Sequence, residues 1–520
     1  MKQPKVNFYN LAWRWHFYAG LFVAPFMVML ALTGTIYLFK PQLDSLMYSS
    51  LLNVPAGHHT VPADDLLKRV KDAYPQGTIK QYLPPVNAER SAQFVVLNGG
   101  NELNVFVDPY HGDILGEQDA KKNLQAIARA IHGELMIGPV GDRLIELAAG
   151  WGVVLVVSGV FLWWPRGQAA GILWPRLNSR GRVLWRDLHA VTGFWGASLL
   201  LVMLLSGMTW TGFWGKQYAE VWNVFPAAMW DDVPKSDVEA RSLNSATRQT
   251  VPWAMENTPM PMSGDHAEHM AHGGAQAGPA APAISLQDVQ DIAVQRKVEP
   301  GYSITLPTTA TGVFTIAVFA DDPRNDATLH VDQYTGKVLA DVRFEQYGTV
   351  ARATEIGVML HEGKMFGVFN QIIVLLICLM ILLSAVSGVV IWWKRRPQGK
   401  FGVPPLRHDL PKWKTAMVIM FALAVAFPLV GASLVVVWVL DRVLFSRLNR
   451  QTESASSSSL DRRDARGCQH CRLPRASPWQ FRVFFRAPSL ASQLPQNLHN
   501  TCGRWLASEE AISFASRVAA

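Results

Sequence analysis

Two hydrophobic patterns alternate along this chain. Long apolar runs, each able to supply the roughly 20 helical residues that cross a bilayer, occupy Phe17–Phe39, Trp185–Gly207, Ala416–Leu440 and the stretches ending at Trp163-Trp164 and Trp392-Trp393. Between them lie polar stretches of short period. VPADDLLKRVKDAYP, from Val61, spaces its apolar residues as an amphipathic helix, and SAQFVVL and NELNVFVDPYHGDILG read as strands joined by turns. SLQDVQDIAVQRK and TLHVDQYTGKVLA repeat that helix and hairpin between residues 285 and 340. Gly112 and Gly336 sit at the two turns of a shared Val-Asp-x-Tyr-x-Gly core.

The pattern divides the chain into an N-terminus with a first span (1–40), a small α+β domain (41–120), a His132 helix with a second span (121–165), and a basic loop (166–188). A third span (189–214), a loop (215–284), a second small α+β domain (285–345) and a His361 helix with a fourth span (346–393) follow. A second basic loop (394–415), a fifth span (416–440) interrupted by Pro428, and a tail (441–520) read as disordered complete it. The expected fold is an α-helical membrane protein: a four-helix core from a duplicated span–domain–span unit, a fifth span, and two small α+β domains outside the membrane.

The duplication is visible at residue level. HGELMIGPVGDRLIELAAGWGVVLVVSGVFLWW and HEGKMFGVFNQIIVLLICLMILLSAVSGVVIWW begin at His132 and His361, and each reaches a Ser-Gly step whose glycine is 27 positions on, at Gly159 and Gly388. Twenty-seven residues make seven and a half helical turns, so a continuous helix would put His361 and Gly388 on opposite faces; a bend is expected near Gly363–Gly367 and near Gly138-Pro139. The other spans match as well: His16 and His189 each have a glycine four residues on (Gly20, Gly193) and another eighteen on (Gly34, Gly207). Eighteen residues are five whole turns, so each histidine shares a face with its glycines, leaving room between helices for something bulky and flat.

Composition sharpens this reading. The 520 residues are 49% hydrophobic, only 17% charged, and include 19 Trp, which suits spans with polar domains rather than a soluble enzyme. The net charge of +8 is not a nucleic-acid footprint. Arg166, Arg176, Arg180, Arg182 and Arg186 crowd one short loop and Lys394, Arg395, Arg396, Lys400, Arg407, Lys412 and Lys414 the other, which marks both as cytoplasmic and the α+β domains as outside. Lys2 and Lys5 put the N-terminus inside. The Trp pairs read as interfacial anchors. The α+β domains contain none of the four cysteines and fold without disulfides. The lone C-x-x-C at Cys468–Cys471 reads as part of the tail rather than as a metal site.

This topology sorts the histidines. His16 and His189 fall at the inner ends of equivalent spans, and His132 and His361 at the outer face. One histidine at a span boundary is ordinarily an interfacial polar residue. Two pairs at duplicated positions, with phased glycines, point instead to two bis-histidine sites for b-type haem, one near each face. A second candidate lies in the 215–284 loop, where Met255, Met260, Met262, His266, His269, Met270 and His272 present ligands suited to copper; a low-complexity linker is the simpler reading. With no G-x-G-x-x-G or P-loop in the chain, electrons are expected from quinol or a cytosolic reductase.

The stretches WRWHFYAG and HGELMIG, the SGVFLWWPR ending and the two Val-Asp-x-Tyr-x-Gly domains resemble the PepSY-associated transmembrane family of bacterial inner-membrane proteins over about residues 8–440. That resemblance implies PepSY folds for the α+β domains and a haem-containing reductase that releases iron from ferric siderophores in the periplasm. Its haem ligands map onto His16, His132, His189 and His361. The tail beyond about 450 departs from the family pattern, and the Met/His segment leaves copper open as the metal handled. A membrane sensor or protease regulator that binds a periplasmic partner through its PepSY domains is the competing, non-enzymatic reading. A siderophore permease ranks last, because the spans offer few polar groups at mid-membrane depth.

Overall fold

The computed structural model describes residues 8–165, 171–217, 233–245, 247–263, 284–396, 414–436 and 439. The tail, His266, His269, Met270, His272 and parts of both basic loops lie outside the described residues. What is described belongs to one compact unit, residues 1–439.

Among the described residues, four helices are long and apolar enough to cross a membrane: Ala12–Leu38 within the helix Phe8–Leu38, Pro139–Trp163, Arg182–Trp210, and Val368–Arg395. They pack first against fourth, first against second, second against third and third against fourth, a closed ring of neighbours. The third span begins at Arg182, earlier than the expected 189, so His189 lies well inside the helix. Asp187 explains the early start: it is 1% exposed and held by Arg176 at 2.6 Å and Arg186 at 2.9 Å, which ties the basic loop to the helix. The expected fifth span is a shorter helix, Lys414–Ala426, that breaks at Phe427 before Pro428 and resumes over residues 428–436. It leans on the second span, with Val430 beside Gly150 and the Trp151 indole donating to Ser433 Oγ at 3.1 Å.

Both expected bends are complete breaks. The His132 helix, Leu124–Glu134, ends in left-handed Leu135 and Met136, and the second span starts afresh at Pro139. The His361 helix, Thr349–His361, is cut by Gly363, Phe366 and Gly367, all at positive φ, before the fourth span begins at Val368. A side chain at Gly363 would meet Leu38 Cδ1 as well as the unfavourable φ of +74°.

The alternating pattern reads the two α+β halves as separate domains, but they share one sheet. Strands β1 (Thr78–Leu83), β2 (Ala92–Asn98), β3 (Asn101–Val107) and β4 (Ile114–Asp119) form one half. A small pair, β5 (Lys235–Glu239) and β6 (Pro259–Pro261), precedes β7 (Ser303–Thr305), β8 (Val313–Val318), β9 (Ala327–Asp332) and β10 (Val338–Arg343) of the other. Edge strands β1 and β7 pair at Gln81–Thr305 and Tyr82–Ile304, fusing both halves into one antiparallel eight-stranded sheet, β10-β9-β8-β7-β1-β2-β3-β4. The amphipathic helices Ala63–Ala73 and Leu286–Gln295 cover one face and touch at their N-termini, where Asp64 accepts the Leu286 and Gln287 amides. Leu66, Val70, Phe94, Leu286, Val289, Phe314 and Leu329 make a single core beneath them. In both hairpins the aspartate takes the tyrosine amide, Asp108 to Tyr110 at 2.8 Å and Asp332 to Tyr334 at 2.9 Å, with Gly112 and Gly336 at positive φ.

Part of the loop read as a linker is folded. Residues 247–263 pack against the sheet, with Val251, Trp253, Met255 and Met260 in a core with Val313, Phe344 and Tyr347.

A shared core predicts shared stability. Phe94→Ala should cost about 3–5 kcal/mol and accelerate amide exchange in β8 and β9 as well as in β2 and β3. Exchange confined to the first half would show two independent domains.

Candidate functional site

The four histidines come together as two pairs. The His16 and His189 ring centres lie 6.3 Å apart with planes at 79°; those of His132 and His361 lie 6.4 Å apart at 89°. Each pair takes one histidine from each repeat. The second pair stands beneath the sheet, on helices that lead out of it. The first lies toward the far ends of the spans. Eighteen residues of the first-span helix, about 27 Å, separate His16 from Gly34, which touches His132. That separation is close to the apolar thickness of a bilayer, about 30 Å.

One device holds all four rings. Each histidine lies edge-on against a Ser-Gly or Thr-Gly step of another helix. His16 Nδ1 meets Ser158 Oγ at 2.9 Å, His132 Nδ1 meets Thr33 Oγ1 at 2.9 Å, and His361 Nδ1 meets Ser206 Oγ at 3.0 Å. His189 Nδ1 meets the Ser384 carbonyl at 3.0 Å and Ser387 Oγ at 3.3 Å. The carbonyl three residues before each hydroxyl joins in: Leu155 for His16, Leu30 for His132, Ser384 for His189 and Met203 for His361. The hydroxyl protons are already committed one turn back, Ser158 to Val154, Thr33 to Met29, Ser206 to Val202 and Ser387 to Leu383, at 2.6–2.8 Å. Each hydroxyl oxygen therefore accepts, each Nδ1 carries the proton, and the lone pair is on Nε2. Outside the spans, burial and then the neighbouring His361 lower His132 to about 4, and burial lowers His361, so this pair stays neutral.

The glycine after each hydroxyl provides the approach. A Cβ there would lie 3.1 Å from His16 Cε1 at Gly159, 3.4 Å from His132 at Gly34, 3.1 Å from His361 at Gly207, and 3.4 Å from His189 at Gly388. Gly34 and Gly207 thus serve the histidine of the other pair, not the one on their own helix. Gly388 faces His189, which removes the phase conflict with His361. Gly20 and Gly193 touch no histidine; a Cβ would meet Leu155 at 3.8 Å in the first case and nothing within 4 Å in the second. Ser158 and Ser387 belong to the repeated Ser-Gly step legible in the sequence, and Thr33 and Ser206 precede the phased glycines Gly34 and Gly207; Ser384 carries no such signal.

Trp210 stands 5.8 Å from His361, and the Arg395 guanidinium lies 3.8 Å over the Trp13 ring. Trp163 is stacked on Phe194 at 3.7 Å, whereas Trp164 and Trp393 face outward, as anchors do. The Met/His candidate is not assembled among the described residues. Met255 and Met260 are core side chains, Met262 is half-buried, and its histidines lie outside the described residues.

Two imidazoles that bind one metal through Nε2, at about 2.0 Å each, sit about 6.3 Å apart centre to centre. Both pairs match that spacing, and both keep Nε2 as the donor atom. Fold and site together define a duplicated multi-pass membrane protein with paired imidazoles at two depths. The chain belongs to the PepSY-associated TM region family, whose profile matches residues 13–395. Comparison with curated proteins returned no match.

The two parts of the device are separable. Ser206→Ala should cost about 1 kcal/mol of stability and leave the His361 Nδ1–H to the Met203 carbonyl alone, a loss of one acceptor read as a shift in the nitrogen NMR signal of labelled histidine, with Ser206→Thr restoring it. Gly207→Val should be the more damaging change, because its side chain displaces the His361 ring.

Proposed function

We propose that this protein is an inner-membrane reductase that carries electrons through two b-type haems to a metal complex on the sheet side, with a ferric siderophore as the favoured substrate. The carrying observation is the spacing of two imidazole pairs, each at the separation of ligands sharing one iron. His16 and His189 would hold one haem, and His132 and His361 the other. When bound, haem b supplies a one-electron iron couple. The chain's own contribution is to fix the ligand tautomers through Ser158, Thr33, Ser206 and Ser387, to admit the rings at the four glycines, and to set the sites apart along the spans.

Arg176, Arg180, Arg182, Arg186, Lys394, Arg395 and Arg396 all belong to the end away from the sheet, which supports a cytoplasmic N-terminus and a periplasmic sheet. Electrons would then enter at the His16/His189 end, from quinol or a cytosolic reductase, and leave beneath the sheet. Iron is preferred to copper because Met255 and Met260 are engaged in packing.

Purified protein should show a Soret band and two haems per chain. His132→Ala and His361→Ala should each lose the same haem, and His16→Ala and His189→Ala the other. Ser206→Ala should weaken haem binding about 10–100-fold. Haem-free protein from haem-supplemented cells, or four alanine variants that still function, would favour a PepSY sensor instead.

A further inference from the structure

The second half of the sheet meets the His361 helix at a sealed cluster that the electron path does not use. Glu355, on that helix, is 0% exposed; Asp326, in the turn before β9, is 1% exposed; Tyr347, just ahead of the helix, is 3% exposed. Each carboxyl is satisfied on one side only. Glu355 Oε1 accepts the Ala254 amide at 2.8 Å, with the Trp253 amide also contributing to this carboxyl, and Asp326 Oδ1 accepts the Ala320 amide at 2.9 Å. Glu355 Oε2, Asp326 Oδ2 and the Tyr347 hydroxyl meet no hydrogen-bond partner among the described residues. The three lie on elements that pack together, the Pro323–Asn325 turn against both the His361 helix and the Phe344–Gln346 turn, and Tyr347 lies in the field of both carboxyls, Asp326 in that of Glu355.

The surrounding charges do not neutralise them. Glu256, Glu362, Asp322 and Glu345 add acidity. Lys364 is paired with Glu362 at 2.6 Å, Arg343 with Asp341 at 2.6 Å, and Arg324 with Asp322. Buried carboxylates without a counter-charge are costly. Protons would remove the charge, each acid O–H then donating to the other carboxyl or to the tyrosine oxygen. A hard cation removes it as well and engages all three unpaired oxygens at once, because it takes oxygen ligands and two carboxylates balance a double charge.

We propose that Asp326 Oδ2, Glu355 Oε2 and Tyr347 Oη hold a divalent cation of the calcium class, with water or main-chain oxygens completing its shell. The site joins the turn before β9, the segment entering the His361 helix, and the helix itself. Occupancy therefore braces the element that presents His361. Burial, then Glu355, raises Asp326 to about 9, and burial raises Glu355 to about 8. Without the cation both carboxyls hold protons at neutral pH, so binding displaces protons and the apparent affinity climbs with pH up to that range.

The test uses full-length protein, stripped with a chelator and titrated with calcium chloride, followed by thermal unfolding and by metal analysis. The expected result is about one calcium per chain and an unfolding midpoint raised by several degrees at pH 8, less at pH 6. Asp326→Asn and Glu355→Gln should each weaken the response at least about tenfold. Tyr347→Phe, which keeps the packing, should weaken it while leaving the protein folded, and decides the matter if the acid variants do not fold. A wild-type protein without a calcium response, whose stability falls as pH climbs from the ordinary carboxylate range toward 8–9, would overturn the proposal and show two protonated acids. So would calcium binding that Tyr347→Phe and the acid variants leave unchanged.

Discussion

The Nδ1–H of each histidine, shared between a serine or threonine oxygen and the carbonyl three residues earlier, is the contact on which this architecture turns. A helix interior has no spare carbonyls, yet a hydroxyl that donates one turn back leaves its own oxygen, and a crowded carbonyl, able to accept from a neighbour. The glycine that follows lets the ring lie close enough to use them. The bond does two things at once: it docks one helix on another, and it selects the tautomer that leaves Nε2 as the donor atom. Because the step occurs on the first, second, third and fourth spans alike, the ring of helices and the two imidazole pairs are a single construction.

The sheet extends that construction beyond the spans. By joining β1 to β7, the chain fuses the strands of both repeats into one sheet, and the His132 and His361 helices descend from its two outer strands, β4 and β10. The breaks at Leu135–Gly138 and Gly363–Gly367 then let each histidine helix turn away from its span and reach across to Gly34 or Gly207. The positive-φ turns are thus what convert two copies of one unit into facing partners.

Much of this was legible in the sequence, and the parts that were not share a physical cause. Periodicity speaks for one element at a time. It located the spans, the hairpin turns and the phase of His16 with Gly34, because each is a property of a single helix or strand. It could not say that Gly388 meets His189 rather than His361, or that Gly34 meets His132, because those contacts cross between helices. The β1–β7 seam was hidden for the same reason: two register pairs between short edge strands carry no pattern of their own. Met255 and Met260 misled in the opposite direction. Their residue type suits a soft metal, but their neighbours Val251 and Trp253 were the better guide, since a buried methionine in apolar company is filling space. The family assignment supports the membrane architecture over residues 13–395.

Electron paramagnetic resonance of the oxidised protein addresses the central claim most directly, because ligand-plane geometry is written into the spectrum. Both pairs hold their rings nearly perpendicular, at 79° and 89°. Two strongly anisotropic low-spin ferric signals, one abolished by His16→Ala and the other by His361→Ala, are the predicted result. A high-spin signal, a single rhombic species of the kind that parallel ligand planes produce, or the absence of any ferric haem signal would contradict the account.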